Sequence, residues 1–423
     1  MGHEDAFWLD GGPDGDSLFG FGSVISGDET LKEIDRCLGA FRARSSEATG
    51  PQPGFVGWIP YDFTRRTLLI DLQRDGEAPE VSFIRAEHIV RIDNRSGDIE
   101  IAVFPQGDNQ TVVPWREAVA QMIRQSRLGS DTDAPPCDSP VSWTVDDDEY
   151  GAKISRCQDE IASGNAYVLC LTTRVIAPGA WDDLETFIAL RESSPSHHGA
   201  LVRIGATSLV SCSPERFIEV AADRTIRTHP IKGTRRRSDD REVDDALRDE
   251  LRSDEKERSE NLMIVDLMRN DLARVCTIGS VGVERLFAVE TYPHVHQLVS
   301  TIVGTLLDGA GAAEIISAVF PAGSMTGAPK AMAVRLLDAM ESSPRGLYAG
   351  AFGLIGLDGT IDLAMSIRCV EIHEGYAQIG TGGGITAMSD RRAEVDEIHL
   401  KAAAPMAALR SRVPSRELAG AGV

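Results

Sequence analysis

One lysine is set apart by its neighbours. Lys232 lies in Pro230-Ile231-Lys232-Gly233-Thr234, followed by Arg235, Arg236 and Arg237. Pro230 lacks a backbone donor and fixes φ, so regular pairing of the β-rich run 216–227 should end there. Gly233 permits a tight turn and a close approach to a ligand. The spacing predicts a lysine on a constrained turn, with the small hydroxyl of Thr234 beside it. Nearby positive charge lowers a lysine pKa, as burial does, and an amine so tuned is a nucleophile near neutral pH. The plainer alternative is a solvated loop lysine, since most lysines stay at the surface.

A second set of residues is acidic. Glu394, Glu397 and Lys401 stand at i, i+3 and i+7 of a predicted helix and so share one face. Glu397 with Lys401 could be a plain surface ion pair, worth less than ~1 kcal/mol. Two glutamates side by side repel unless a cation lies between them. A hard dication such as Mg²⁺ is what two or three glutamates plus substrate oxygens would bind. Glu260, on another predicted helix, could complete the set, although spacing alone does not bring it there. Glu215, in Ser213-Pro214-Glu215-Arg216-Phe217, is placed at a strand edge.

The elements that must position these groups are legible in outline. Residues 54–62 read as a buried, glycine-loosened strand ending at Pro60. Strand-like runs recur at 67–72, 81–84 and 99–104, and 115–126 fits an amphipathic helix. Residues 129–140, rich in Asp, Ser and Pro, read as a linker or exposed loop. A helix should start at the acidic cap 146–148, bury Tyr150, Ile154, Cys157 and Ile161, and stop at Gly164. Strands are expected at 167–175 and 200–210, a charged exposed helix or loop at 239–252, and a long helix at 253–272 capped by Ser253. Residues 321–330 form a glycine-rich loop that could cradle an anion before a helix at 330–340; its spacing is not that of a nucleotide phosphate loop. Residues 348–372 read as a hairpin turning at Asp358-Gly359 in a type I′ turn. The strand at 378–385 carries Gly382-Gly383-Gly384, a pattern that suits close approach of backbone to another group. A last helix runs from Ser389 or Asp390 to about Leu409. The division expected is 1–128 as an N-terminal region, 129–142 as linker, 143–410 as the catalytic region and 411–423 as a frayed tail.

Composition excludes several classes. The 423 residues carry 43 Lys and Arg against 65 Asp and Glu, a net charge of −22, which disfavours nucleic acid and anionic membranes as partners. No run approaches the ~20 apolar residues of a membrane-spanning helix, and residues 1–5 lack the basic start of a signal peptide, so a cytoplasmic location is expected. Seven scattered cysteines without a Cys-x-x-Cys pair point to reduced thiols rather than disulfides or zinc.

Ser213-Pro214-Glu215, Pro230-Ile231-Lys232-Gly233-Thr234, Ser259-Glu260-Asn261-Leu262-Met263-Ile264-Val265-Asp266-Leu267, Gly323-Ser324-Met325-Thr326-Gly327-Ala328-Pro329-Lys330 and Gly382-Gly383-Gly384-Ile385 occur in this order. Together they resemble the chorismate-utilising enzymes, a family that includes anthranilate, aminodeoxychorismate, isochorismate and salicylate synthases. The likeness covers about 145–405, and 1–125 resembles the family's N-terminal part more weakly. It implies an α+β fold: two α/β subdomains whose large antiparallel sheets form a sandwich, helices outside, with the site in a cleft. It implies that Glu260, Glu394 and Glu397 hold Mg²⁺, which grips the ring carboxylate of chorismate. Glu215 would be the general acid for the C4 hydroxyl. Gly233, Thr234, Tyr348, Arg368, the Gly382, Gly383 and Gly384 backbone, and Lys401 would cradle the substrate and its carboxylates.

Lys232 would decide the branch. The resemblance implies that a lysine in this segment forms a covalent adduct at ring C2 before ammonia attacks C4, as in the aminodeoxychorismate-forming type; the arginines behind it would help to keep it neutral. Ammonia would come from a separate glutamine amidotransferase subunit. Val168 stands where water-adding members carry a lysine base, which disfavours hydration. Gln297 replaces a histidine common in the family, with His296 beside it. No tryptophan-binding element is evident near the N-terminus. The alternatives are an anthranilate-forming component I and a non-catalytic chorismate-binding homologue.

Overall fold

The computed structural model describes residues 5–13, 15–42, 54–72, 79–103, 115, 117–121, 141–292 and 295–410. Two large sheets carry the fold, and every strand pair in them is antiparallel. The eleven-stranded sheet runs from the two-residue strand Gly327–Ala328 through Val168–Pro178, Tyr376–Ile385, Cys369–His373, Thr207–Ser213 and His198–Ile204 to the N-terminal strands Ala6–Asp10 and Asp16–Phe21. The ten-stranded sheet begins with Ile231–Arg236 and Val295–Thr305. It continues through Thr225–Thr228, Arg216–Val220, Ile361–Met365 and Ala351–Gly356 to Gly54–Ile59. Strands from before residue 128 and after residue 143 therefore meet in both sheets.

Period-two alternation explains the layering. Ala200, Val202 and Leu209 of the first sheet share one apolar core with Phe55, Phe217 and Leu363 of the second. Their alternates Leu201 and Val210 face the other way, into a core with Phe187 and Ala402 of the helices Asp183–Ser193 and Arg391–Arg410. Likewise Leu169 and Leu171 pack on Tyr150 and Ile154 of Asp147–Ala162 and on Ala333 and Leu337 of Lys330–Met340. Full burial of each large side chain contributes roughly 1.5–3 kcal/mol, so displacing any of these elements is expensive. The expected α+β sandwich with helices outside is the observed one.

Local expectations met mixed outcomes. Gly54–Ile59 is a fully buried strand that stops at Pro60. Asp146 caps the helix Asp147–Ala162 by accepting from Glu149 N at 2.8 Å, and Gly164 takes φ +79° behind it. Residues 67–72 are not a strand: the helical turn Thr64–Thr67 ends there, and Leu69 takes φ +52°. The single strand expected at 200–210 is two strands joined at Gly205, whose φ is +56°. The helix Glu255–Ala273 is capped by Asp254, because Ser253 still belongs to the preceding helix Arg241–Ser253. Asp358 does not share the positive φ of Gly359, so that hairpin is not of type I′. Its second arm also breaks after Met365 and re-forms at Cys369 in the other sheet. Of 115–126, residues 115 and 117–121 are helical; the linker at 129–140 and the tail at 411–423 lie outside the described residues. The described cysteines are free thiols, five of them buried. Among the described residues, no helix is long and apolar enough to cross a membrane.

Candidate active site

Lys232 lies on a strand, not on a turn. Ile231–Arg236 pairs with Val295–Thr305, and the register slips between Ile231 and Thr234, which puts Lys232 and Gly233 in a bulge. Pro230 does not end the pairing, because its carbonyl accepts from Ser300 N at 3.2 Å and Asn261 Nδ2 at 3.3 Å. Gly233 has φ +84°, and a Cβ there would lie 2.8 Å from Leu251 Cδ1 and 2.9 Å from Glu257 Cδ. Glycine is needed here for backbone conformation and for packing against two helices. The bulge re-aims Lys232 inward. Its side chain is 16% exposed, and Nζ lies 4.0 Å from Glu260 Oε2.

The three arginines do not act on this amine. Arg235 pairs with Glu250 at 3.1 Å, Asp254 at 2.9 Å and Glu257 at 3.7 Å, and Arg237 pairs with Asp244 at 2.9 Å. Burial alone would lower the Lys232 pKa, but the carboxylates facing it, Glu260 foremost, outweigh burial and hold the amine above its usual range. The expected neutralising role of the arginines is therefore corrected: Arg235 and Arg237 are held by acids on and beside the neighbouring helices, and Arg236 is exposed.

The glycine strand Tyr376–Ile385 forms one wall. It pairs along its whole length with Val168–Pro178, whereas its other edge meets Cys369–His373 only as far as Gln378. The edge at residues 379–385 thus has no strand partner among the described residues. A Cβ on Gly384 would lie 3.3 Å from Lys232 Nζ, 3.7 Å from Val168 Cγ2 and 4.0 Å from Glu260 Oε2. A Cβ on Gly383 would lie 2.9 Å from Glu394 Oε2 and 3.9 Å from Glu397 Oε1. The glycines leave room for the lysine and for the acids. The last helix, Arg391–Arg410, brings Glu394 and Glu397 here. Asp390 caps it through Ala393 N at 2.9 Å, which frees Ser389 Oγ to donate to Glu394 Oε1 at 2.7 Å. Lys401 pairs with Glu397 at 2.5 Å and donates to the Gly382 carbonyl at 2.9 Å, fastening helix to strand.

Burial pushes Glu215 up to about 7, opposed by Ser324, Lys232 and Lys401. Ser324 Oγ stands close enough to act on the carboxyl without reaching hydrogen-bond geometry. A carboxylic acid that keeps its proton near neutrality suits a proton donor. Arg368 sits at the crossover between sheets with φ +51°. Its carbonyl accepts from Cys212 N at 3.3 Å, but its guanidinium makes no hydrogen bond or ion pair among the described residues, and burial lowers its pKa while Tyr348 and Glu397 oppose. An arginine held unpaired in this way, in a backbone conformation costing roughly 1–3 kcal/mol, is ready for an anion. The buried Tyr348 ring lies against Gly380, where a Cβ would approach Tyr348 Cγ to 2.0 Å. Thr234 is exposed and opposite Gln297 in the sheet.

His296 is excluded from the site. It is 1% exposed, with Nε2 3.0 Å from Asp244 and Nδ1 2.9 Å from Thr291. Gln297, one residue on, leaves the opposite face of the strand. Lys330 is structural too: its buried ammonium bonds Asp271 at 2.6 Å and the carbonyls of Val319 and Pro321 at 3.0 and 2.6 Å. The loop before it is held by that lysine.

Glu260, Glu394 and Glu397 are brought to one place but not to one point. Among the described residues, no three His, Cys, Asp or Glu side chains stand at metal-binding distances. Lysines bridge them instead: Lys232 and Lys256 at Glu260, Lys256 at Glu394, and Lys401 at Glu397. Burial raises the pKa of Glu260 and of Glu394, while Lys401 holds Glu397 below its usual range despite burial. An all-oxygen acidic set, with two buried members whose nearest ammonium groups stand 3.7 to 4.0 Å away, fits a hard dication. Sequence reasoning missed Lys256, Glu257 and Ser389. The i, i+4 spacing of Lys256 and Glu260 was the available signal, but such a pair is ordinary on a helix surface and by itself marks no site.

Compared with known proteins, residues 4–407 match the family described as chorismate binding enzyme. An aminodeoxychorismate synthase of Streptomyces pristinaespiralis is 37% identical over 402 residues, covering 91% of this chain and 56% of the relative. An anthranilate synthase component 1 of Streptomyces coelicolor is 32% identical over 398 residues, covering 88% of this chain and 77% of that one. The chain spans about half the length of the aminodeoxychorismate synthases of Streptomyces that it matches. In fold it is similar to an anthranilate synthase component I of Streptococcus pneumoniae, with a TM-score of 0.79 at 24% identity over 96% of this chain and 93% of the other.

Proposed function

Because this chain belongs to the chorismate binding enzyme family, we propose that it aminates chorismate at C4, forming 4-amino-4-deoxychorismate through a covalent bond to Lys232. The observation that carries this reading is the inward Lys232 amine, facing Glu260 at 4.0 Å across the glycine wall. Glu215, protonated up to about pH 7, gives its proton to the C4 hydroxyl, which leaves as water. The Lys232 amine bonds to ring C2 as the C4–O bond breaks. Ammonia then bonds to C4, the C2–N bond breaks, and Lys232 is regenerated; Glu215 recovers the proton that the new amine sheds. Arg368, Lys401 and the free edge of the glycine strand would bind the two carboxylates, with Tyr348 behind them. Glu260, Glu394 and Glu397 would hold Mg²⁺, which when bound supplies positive charge to a substrate carboxylate and relieves the negative field that keeps Lys232 protonated. Val168, beside Gly384, offers no base that could activate water, which disfavours hydration. A glutamine amidotransferase, as a separate subunit in the cytoplasm, would supply the ammonia for a step toward p-aminobenzoate.

The second reading is anthranilate formation, favoured by 32% identity to an anthranilate synthase component 1 over most of both chains. Product analysis with chorismate, Mg²⁺ and ammonium separates the two. Anthranilate fluoresces directly, whereas the para product appears as p-aminobenzoate only after a lyase is added. Anthranilate as the main product would overturn the proposal.

A further inference from the structure

Lys256 occupies an unusual position. It lies one turn before Glu260 on the helix Glu255–Ala273, and its Nζ is 4.0 Å from Glu260 Oε1. That contact alone is an ordinary helix pair. The same ammonium, however, is 3.7 Å from Glu394 Oε1, which belongs to the last helix, so it is shared by two acids from two different elements. Lys232 and Lys401 also face the acids but are otherwise committed. Lys232 is enclosed by the glycine wall, and Lys401 is anchored to the Gly382 carbonyl. Among the described residues Lys256 has no backbone anchor, and its side chain is 43% exposed, so it has water to swing into. Ser389 holds the same Glu394 oxygen at 2.7 Å, which keeps that carboxylate in place whether or not the lysine is there.

Building on the metal assignment above, we propose that Lys256 is an internal stand-in for the dication: its ammonium bridges Glu260 and Glu394 in the metal-free protein and must leave when Mg²⁺ arrives. The lysine stabilises the empty site against repulsion between its acids, and it competes with the metal for them. A charge about 4 Å away at a partly solvated site changes affinity by roughly tenfold at the low end.

Calorimetric titration with MgCl₂ alone, without chorismate or ammonia, tests this on the full chain. Lys256→Met should bind Mg²⁺ roughly tenfold more tightly than the unaltered protein, melt lower without metal, and show a wider gap between metal-free and metal-saturated melting temperatures. Lys256→Arg, which keeps the charge, should stay near the original affinity, and Glu394→Gln should lose binding. Unchanged or weaker binding by Lys256→Met, with normal binding by the parent, overturns this inference and leaves the metal assignment standing. Absence of binding in the parent and in Lys256→Met overturns both. Neither result bears on which ring carbon is aminated.

Discussion

Two adjacent glycines should have separable functions. Neither Gly383 nor Gly384 has a positive φ, so alanine is compatible with the backbone at both positions. An added Cβ at Gly384 would meet Lys232 Nζ at 3.3 Å, which asks the lysine to shift by a few tenths of an ångström. At Gly383 the Cβ would meet Glu394 Oε2 at 2.9 Å, a clash that the acid must relieve by shifting off the strand. Replacing glycine within a strand recovers roughly 0.5–1 kcal/mol of chain entropy, so neither variant should melt much below the parent. Misplacement of a reacting group by about 1 Å can cost 10²-fold, so a smaller shift at Lys232 should lower kcat by about tenfold in Gly384→Ala. Gly383→Ala should keep more of its kcat at saturating Mg²⁺ but need several times more Mg²⁺ for half-maximal rate. The assay is p-aminobenzoate formation with excess lyase, ammonium as nitrogen donor and Mg²⁺ varied, beside thermal melts. If Gly384→Ala keeps its full rate, or if both variants fail through lost stability alone, the placement of lysine and acids on this wall is wrong.

Other outcomes follow from the same geometry. Lys232→Ala should lose the para product, through diversion to the ortho product or through loss of turnover, as chromatography of the products would show. In the pH profile of kcat/KM, the rise as Lys232 loses its proton should be offset above about pH 7, where Glu215 loses its own. Glu215→Gln should be slower by at least 10²-fold and should show no break near pH 7. Lys330→Met should strand the buried Asp271 carboxylate and lower stability by about 3–5 kcal/mol in urea titrations. His296→Ala should cost stability, about 1–3 kcal/mol, while leaving the product ratio unchanged, because the imidazole serves Asp244 and not the site.

What the sequence made legible was local. Caps at Asp146 and Asp390, the one-faced spacing of Glu394, Glu397 and Lys401, and the alternation of buried strands are set by neighbours a few residues apart. What it hid was pairing. Pro230 and Gly233 announce an interruption, but only the partner strand Val295–Thr305 shows that the interruption is a bulge within continuing pairing. Arg235 and Arg237 look like an electrostatic aid to Lys232 until Glu250, Asp254 and Asp244 are seen to hold them. Arg368 gave no sign of its left-handed turn, which arises because its chain changes sheets there. Lys256 was missed because its second partner, Glu394, is far away in sequence.

The central claim is that the Lys232 amine bonds to the substrate ring. Mass spectrometry of the enzyme mixed with chorismate and Mg²⁺, without ammonia, and then acid-quenched, tests it directly. The account predicts a peptide containing Lys232 heavier by chorismate less one water, absent in Lys232→Ala and discharged when ammonium is added before the quench. An unmodified Lys232 in enzyme that goes on to make the para product at full rate would contradict it.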